Sequence, residues 1–244
     1  MHLNIKRIYT LNAINPRDHI TLTSKQIHYI KNVLRIKKNE ILRIFNGIDG
    51  EWLAKVEKIE KKQVVLFVEK KIRSQENSPK INLFFSMIKK ERINILIQKC
   101  TELGILNFYP IVTERSNVRN INIKKLQQNA IEATQQCERL DVPLINQYLD
   151  IFSISHFLGK DECLIYCDEK NFNAPNIIST MKKIKNIYKK WSLVVGPEGG
   201  FTAKERDHIL KTKRVYPITL GKRILRSDTA ATVVLFCLQQ FVEN

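Results

Sequence analysis

The sequence predicts an α/β protein in which a small barrel-like β domain precedes a mostly parallel sheet with helices on its faces. Three observations carry the prediction. Strand-like runs joined by turn dipeptides fill residues 1–72, a polar and aperiodic stretch covers 73–80, and from 81 to 244 strand-like and helix-like patterns alternate.

In the first region "EILRIF" (Glu40 to Phe45), "EWLAKVEKI" (Glu51 to Ile59) and "QVVLFVEKKI" (Gln63 to Ile72) are rich in β-formers with partial period two. "NGIDG" between the first two supplies Asn-Gly and Asp-Gly turn chemistry. One short helix, "SKQIHYIKNVLR", is expected to open with Ser24 as its N-cap and to carry His28 and Arg35, seven apart, on one face. "RSQENSPK" (73–80) reads as the linker. Beyond it "INLFFSM" is a strand and "ERINILIQKCTEL" a helix stopped by Gly104. Then follow the strand "FYPIVT", the helix "IKKLQQNAIEATQQCERL", the strand "CLIYCDE", a helix from near Pro175, the strand "WSLVVG", a helix from Thr202, the strand "YPITLG" and a last helix.

Hydrophobic residues make up 43% of the chain and charged ones 27%, as in ordinary globular proteins. No apolar run approaches 18 residues and the N-terminus does not read as a secretory signal, so no membrane partner and a cytoplasmic location are expected. Lysine and arginine number 41 against 24 acids, a net charge of +17. Lysine can simply fill solvated surface. The arginines of "TERSNVR", "CERLDVP" and "GKRILRS", in a lysine-biased composition, point further, to a nucleic-acid partner. The five cysteines are odd in number and show no Cys-x-x-Cys spacing, which favours buried reduced thiols over zinc or disulfides; no metal site is expected.

The chemistry concentrates in "LVVGPEGGFTAKE" (193–205), which spends three of the chain's 8 glycines. Thr202 and Glu205 form a capping box, so the stretch is strand, glycine loop, helix. It lacks the Gly-x-Gly-x-x-Gly and Lys-Ser/Thr patterns of phosphate loops, and Glu198 would repel a pyrophosphate; a tight structural turn and a loop for a ligand without phosphate both remain open. The next strand also ends in glycine, Gly221, ahead of a helix starting at Ser227, Asp228 and Thr229. Two such exits on one edge of a parallel sheet can clasp one small molecule.

"VVGPEGGFTAKE" together with "LGKRILRSDTAA" resembles the bacterial 16S rRNA uridine N3-methyltransferases (RsmE family) of the SPOUT superfamily. "HYIKNVLR", "IQKCTELGI", "PIVTERSNV" and "NAIEATQQCERLDVP" extend the resemblance, in order, over nearly the whole chain, although Ser227-Asp228 stands where the family usually has Thr-Glu. The resemblance implies a PUA-like RNA-binding domain, a SPOUT methyltransferase domain with a deep trefoil knot, S-adenosylmethionine as cofactor, the 16S rRNA of the small ribosomal subunit as partner, and a homodimer. It places Gly196, Pro197, Glu198, Gly199 and Gly200 on one wall of the cofactor pocket, and Leu220, Gly221, Ile224, Leu225, Arg226 and Thr229 on the others.

Methylating uridine N3 requires loss of its proton and stabilisation of charge on the flanking carbonyls, which asks for an acid and a cation. Asp228 and Arg226 are the candidates; Asp228 capping the last helix and pairing with Arg226 is the structural alternative. Arg115, Ser116 and Arg119 in the loop after "FYPIVT", Arg139, and His28 and Arg35 are candidate RNA contacts. Two other readings stand beside this one: a non-catalytic RNA-binding or ribosome-assembly factor, and a SPOUT methyltransferase acting on another RNA such as tRNA.

Overall fold

The computed structural model describes residues 5–116, 118 and 120–242; the candidate RNA contact Arg119 lies outside them. The chain forms two compact units, one running to Asn77 and also including Thr134–Val142, the other comprising Ser78–Ala133 and the chain from Pro143.

The first unit holds β1 (Arg7–Tyr9), β2 (His19–Thr21), α1 (Ser24–His28), β3 (Ile41–Phe45), β4 (Glu51–Ile59) and β5 (Val64–Arg73). The strands form one sheet in the order β1-β3-β4-β5-β2, antiparallel except for β1 against β3. Three register shifts between β4 and β5 bend it, as bulges do. Ile8, Ile20, Leu42, Ile44, Val56, Leu66 and Val68 are buried with Ile27 and Ile30 of the helical segment, which closes the core. The helix begins one residue earlier than the sequence reading placed it: Thr23 is the N-cap, in a capping box with Gln26. After His28 it widens into a π turn over Tyr29–Val33 and is capped at Leu34. Arg35 lies past that cap with a left-handed backbone (φ 53°), so His28 and Arg35 do not share a helix face.

Ion pairs sit inside this unit. Fully buried Glu51 takes Arg7 Nε at 2.5 Å, with Arg43 and Arg73 guanidinium nitrogens at 3.7 Å. Arg7 also donates to the carbonyls of Thr134 and Arg139, and Arg43 Nη2 pairs with Glu138 at 2.5 Å. Through Thr134, Arg7 meets a carbonyl left over in the last turn of the helix that ends at Cys137, where positive charge is favourable.

The second unit holds β6 (Ile81–Ser86), α2 (Lys90–Glu102), β7 (Asn107–Val112), most of α3 (Ile123–Cys137), β8 (Leu144–Ile145), β9 (Leu149–Asp150), α4 (Ile154–Phe157), β10 (Glu162–Cys167), α5 (Ile177–Ile184), β11 (Lys190–Val195), α6 (Ala203–Lys211), β12 (Val215–Ile218) and α7 (Ser227–Val242). Its sheet is parallel throughout, in the order β12-β10-β11-β6-β7-β8, with β9 also on β7. Both faces are buried, so the strands are continuous apolar runs whose alternate residues serve different cores. Leu83, Phe85, Ile165, Leu193 and Val195 pack with Ile93, Leu96, Ile97, Met181, Val234 and Leu238 of α2, α5 and α7. Phe84, Leu164, Tyr166 and Val194 face the other way, onto Ile154, Phe201 and Ile209.

Candidate active site

Strand order decides the site. β10 lies between β11 and β12, so the two glycine loops are not neighbours and the exit of β10 stands between them. All three strands run in parallel and deliver their C-terminal ends to one edge, where α/β sheets bind ligands. A cleft opens there. One wall is Gly196, Pro197, Glu198 and Gly200; a second is Thr219, Leu220, Gly221, Ile224 and Leu225; Cys167, Asp168 and Glu169 form the third, and Ser227 with Ala230 of α7 also line it.

Each wall has a local cause. Gly200 has φ 66° and donates its N–H to the Pro197 carbonyl at 2.9 Å, closing a turn. A Cβ there would collide with the Glu169 carboxylate, and one at Gly196 would lie 2.9 Å from the Phe201 ring. The loop is braced from two sides. Glu205, 2% exposed, accepts the Thr202 N–H on one carboxylate oxygen and the Glu114 N–H on the other, both at 2.8 Å, while Thr202 Oγ1 accepts the Glu205 N–H. Arg115 Nη1 donates to the Gly199 carbonyl at 2.9 Å. On the third wall Asp168 is held by Arg206 through bonds of 3.1, 3.2 and 2.7 Å, and the same contact pushes the Arg206 guanidinium pKa up.

The chemistry of the walls narrows the ligand. Burial, and secondarily Glu169, push the Cys167 thiol up to about 12, so it stays protonated and is no nucleophile at neutral pH. Apolar Val195, Pro197, Ile218, Leu220 and Leu225 suit a flat heterocycle, while Glu169 and Glu198 suit a ligand carrying positive charge. S-adenosylmethionine has a purine, a sulfonium and an ammonium, and the residues present fit it. Among the described residues no group of histidine, cysteine and acid side chains could hold a metal ion.

A second, more open groove adjoins the cleft and shares Glu198, Ile224 and Leu225 with it. Lys89, Glu91, Arg92 and Arg226 complete its lining. Arg92 pairs through Nη1 with Asp228 Oδ2 at 3.2 Å. Asp228 therefore meets an arginine of α2, not Arg226, and at 6% exposure it lines neither cavity.

Of the residues singled out from the sequence, Gly196, Pro197, Glu198, Gly200, Leu220, Gly221, Ile224 and Leu225 line the cleft. Gly199 and Thr229 are exposed and outside it, and Arg226 faces the adjoining groove. Arg115 is occupied by the glycine loop, and Ser116 is buried with its hydroxyl 2.7 Å from that of Thr113. Arg139 Nε binds Asp141 at 3.0 Å, whereas His28 and Arg35 are exposed. The sequence pattern singles out neither Cys167, Asp168 and Glu169, since "CLIYCDE" reads simply as a strand, nor Arg92.

Residues 75–239 match the family described as RNA methyltransferase domain, and residues 22–69 match RNA methyltransferase PUA domain. A relative from Rickettsia conorii, named ribosomal RNA small subunit methyltransferase E, is 33% identical over 96% of this chain and 94% of its own length. A protein of the same name from Neisseria gonorrhoeae, solved with S-adenosylmethionine bound, superposes with a TM-score of 0.87 at 23% identity, covering 97% of this chain and 98% of that one. A Legionella pneumophila protein, solved in complex with the same cofactor, gives 0.83 at 27% identity with the same coverage.

Proposed function

This chain belongs to the RNA methyltransferase family, and from that premise we propose that it uses S-adenosylmethionine to methylate N3 of a uridine in the 16S rRNA of the small ribosomal subunit. The observation that carries the reading is the cleft at the three strand ends, whose glycine loops, apolar walls and carboxylates fit a cationic nucleoside-like donor. The fold of the neighbours solved with that cofactor supports it, as does the Rickettsia relative's name.

When bound, S-adenosylmethionine supplies an electrophilic methyl group on a positively charged sulfur. The chain's own residues then have two tasks. Asp168, locked by Arg206, and Gly196–Gly200, braced by Glu205 and Arg115, keep the cleft preformed, so the acceptor meets a fixed methyl position. Arg226 faces the groove where the acceptor would enter and supplies positive charge there, with Asp228 acting on that groove through Arg92. His28 and Arg35 are exposed on the first unit, in keeping with RNA contact there. A homodimer is part of the proposal: α2 and α7 pack together and leave Ile95, Val233 and Phe236 exposed. So is a cytoplasmic location; among the described residues no helix is long and apolar enough to cross a membrane.

The test is transfer of labelled methyl from S-adenosylmethionine to small ribosomal subunits lacking the modification, with the product nucleoside identified. The expected product is N3-methyluridine at one site. Absence of incorporation with subunit binding retained would instead select the assembly-factor reading, and labelling of tRNA would select another RNA.

A further inference from the structure

The groove beside the cofactor cleft carries three cations, Lys89, Arg92 and Arg226, against two acids, Glu91 and Glu198. It is open to solvent, and it meets the cleft along Glu198, Ile224 and Leu225. Arg92 and Arg226 reach it from different parts of the chain, the start of α2 and the turn before α7. Behind Arg92 stands Asp228, whose Oδ2 takes the guanidinium while buried Oδ1 has no hydrogen-bond partner.

A carboxylate buried with half its hydrogen-bonding capacity unused is costly, and its one cation then becomes hard to move. Arg92 is thus held at one nitrogen while its partly exposed side chain lines the groove. A fixed fork of this kind grips phosphate in two-pronged fashion, whereas the uncharged uracil ring offers it less.

We propose that this groove receives the target nucleotide of the RNA, with a backbone phosphate on Arg92, Arg226 and Lys89, and that Asp228 is a positioning residue that aims Arg92. The inference rests on the reading of the chain as an RNA methyltransferase. It assigns Asp228 no proton transfer: its part in the reaction is to hold the cation that docks the acceptor beside the methyl donor.

The test compares wild-type protein with Arg92→Met, Arg92→Lys, Arg226→Met, Asp228→Asn and the Arg92→Met/Asp228→Asn double variant. Binding of a short fluorescent oligouridylate is measured at several salt concentrations without donor, and KM and kcat for modification-deficient small subunits are measured alongside. Losing one phosphate contact lowers the slope of log affinity against log salt by about 0.7 for a single strand. Affinity should fall on the order of 10-fold for Arg92→Met and for Arg226→Met. Arg92→Lys keeps the charge and most of the slope, but loses part of the affinity. Asp228→Asn leaves the slope near wild type, weakens the oligouridylate and raises KM more than it lowers kcat. S-adenosylmethionine affinity stays within about twofold throughout, since none of Arg92, Arg226 and Asp228 lines the cofactor cleft.

Arg92→Met strands the Asp228 carboxylate and can compromise folding; the double variant removes both charges, and exposed Arg226 stands clear of the pair. Wild-type slopes and affinities in both Arg226→Met and the double variant would overturn the inference, as would a fall in kcat with oligouridylate binding unchanged. If wild-type protein transfers no methyl to subunits while the slopes change as stated, the methyltransferase reading fails and the phosphate groove stands.

Discussion

Glu205 is the residue whose replacement tests most directly how the glycine loop is held. Its two carboxylate oxygens each accept one backbone N–H at 2.8 Å, from Thr202 and from Glu114, and the side chain is nearly sealed from water. Glu205→Gln keeps shape and volume but leaves one oxygen for two donors; whichever way the amide turns, its NH₂ faces an N–H. One charge-assisted bond is lost, about 1.5–3 kcal/mol, and the surviving one loses its charge. For a chain of this length that corresponds to a drop of roughly 3–12 °C in melting temperature. Thr202→Ala, which removes only the hydroxyl half of the capping box, should cost about 1 kcal/mol. Urea denaturation of the three proteins measures the difference, and amide hydrogen exchange at Thr202 and Glu114 shows where it acts. If Glu205→Gln proves no more destabilising than Thr202→Ala, or both amides keep wild-type protection, the loop is not held by this carboxylate and the argument for a preformed cleft wall fails.

Gly200→Ala should lower stability by about 1–2 kcal/mol, since a left-handed backbone is unfavourable for alanine. It should also weaken S-adenosylmethionine binding severalfold, because its Cβ displaces Glu169 on the facing wall; calorimetry showing wild-type affinity would separate Glu169 from the donor site. The first unit should be acid-labile. The hydrogen bond from Arg43 holds the Glu138 carboxyl below its ordinary value of 4.5, so its folded pKa lies under its unfolded one. That contribution is complete above the unfolded value and disappears as pH falls through the folded value. The stability gap between wild type and Glu138→Gln should therefore narrow below about pH 4.5; a gap constant from pH 7 to pH 3 would contradict the pairing.

What the sequence made legible was local. The Thr202 capping box and the main alternation of strand and helix after residue 80 rest on residues close in sequence and appear in the structure, whereas β12 stops at Ile218, ahead of Gly221, and the short β8, β9 and α4 have no counterpart in the sequence reading. The third wall was hidden because strand order is not written locally: nothing in "CLIYCDE" says that it lies between strands that follow it in the chain. The same holds for the partners of the charged residues. Arg206 meets Asp168 across 38 positions, Arg92 meets Asp228 across 136, and Arg7 reaches the Thr134 carbonyl across 127. The resemblance named cofactor residues but could not show that the strand exit ahead of them completes the pocket.

This long-range pairing changes what the arginines mean. Of the arginines whose segments point to nucleic acid in a lysine-biased chain, Arg115 and Arg139 are engaged with the Gly199 carbonyl and the Asp141 carboxylate, and elsewhere Arg7, Arg43, Arg73, Arg206 and Arg214 likewise meet carboxylates or backbone carbonyls. A planar guanidinium can satisfy two or three acceptors at once where an ammonium cannot be fixed so tightly, which is reason enough for arginine at each of these positions. Most of the excess charge available to a polyanion then resides on flexible lysines, which attract without specifying register. Arg92 combines both behaviours: one nitrogen is committed to a buried acid, and the partly exposed side chain lines a groove beside the cofactor cleft. Charge alone draws RNA to this protein; a cation that is both anchored and presented is what can set one nucleotide against the methyl donor.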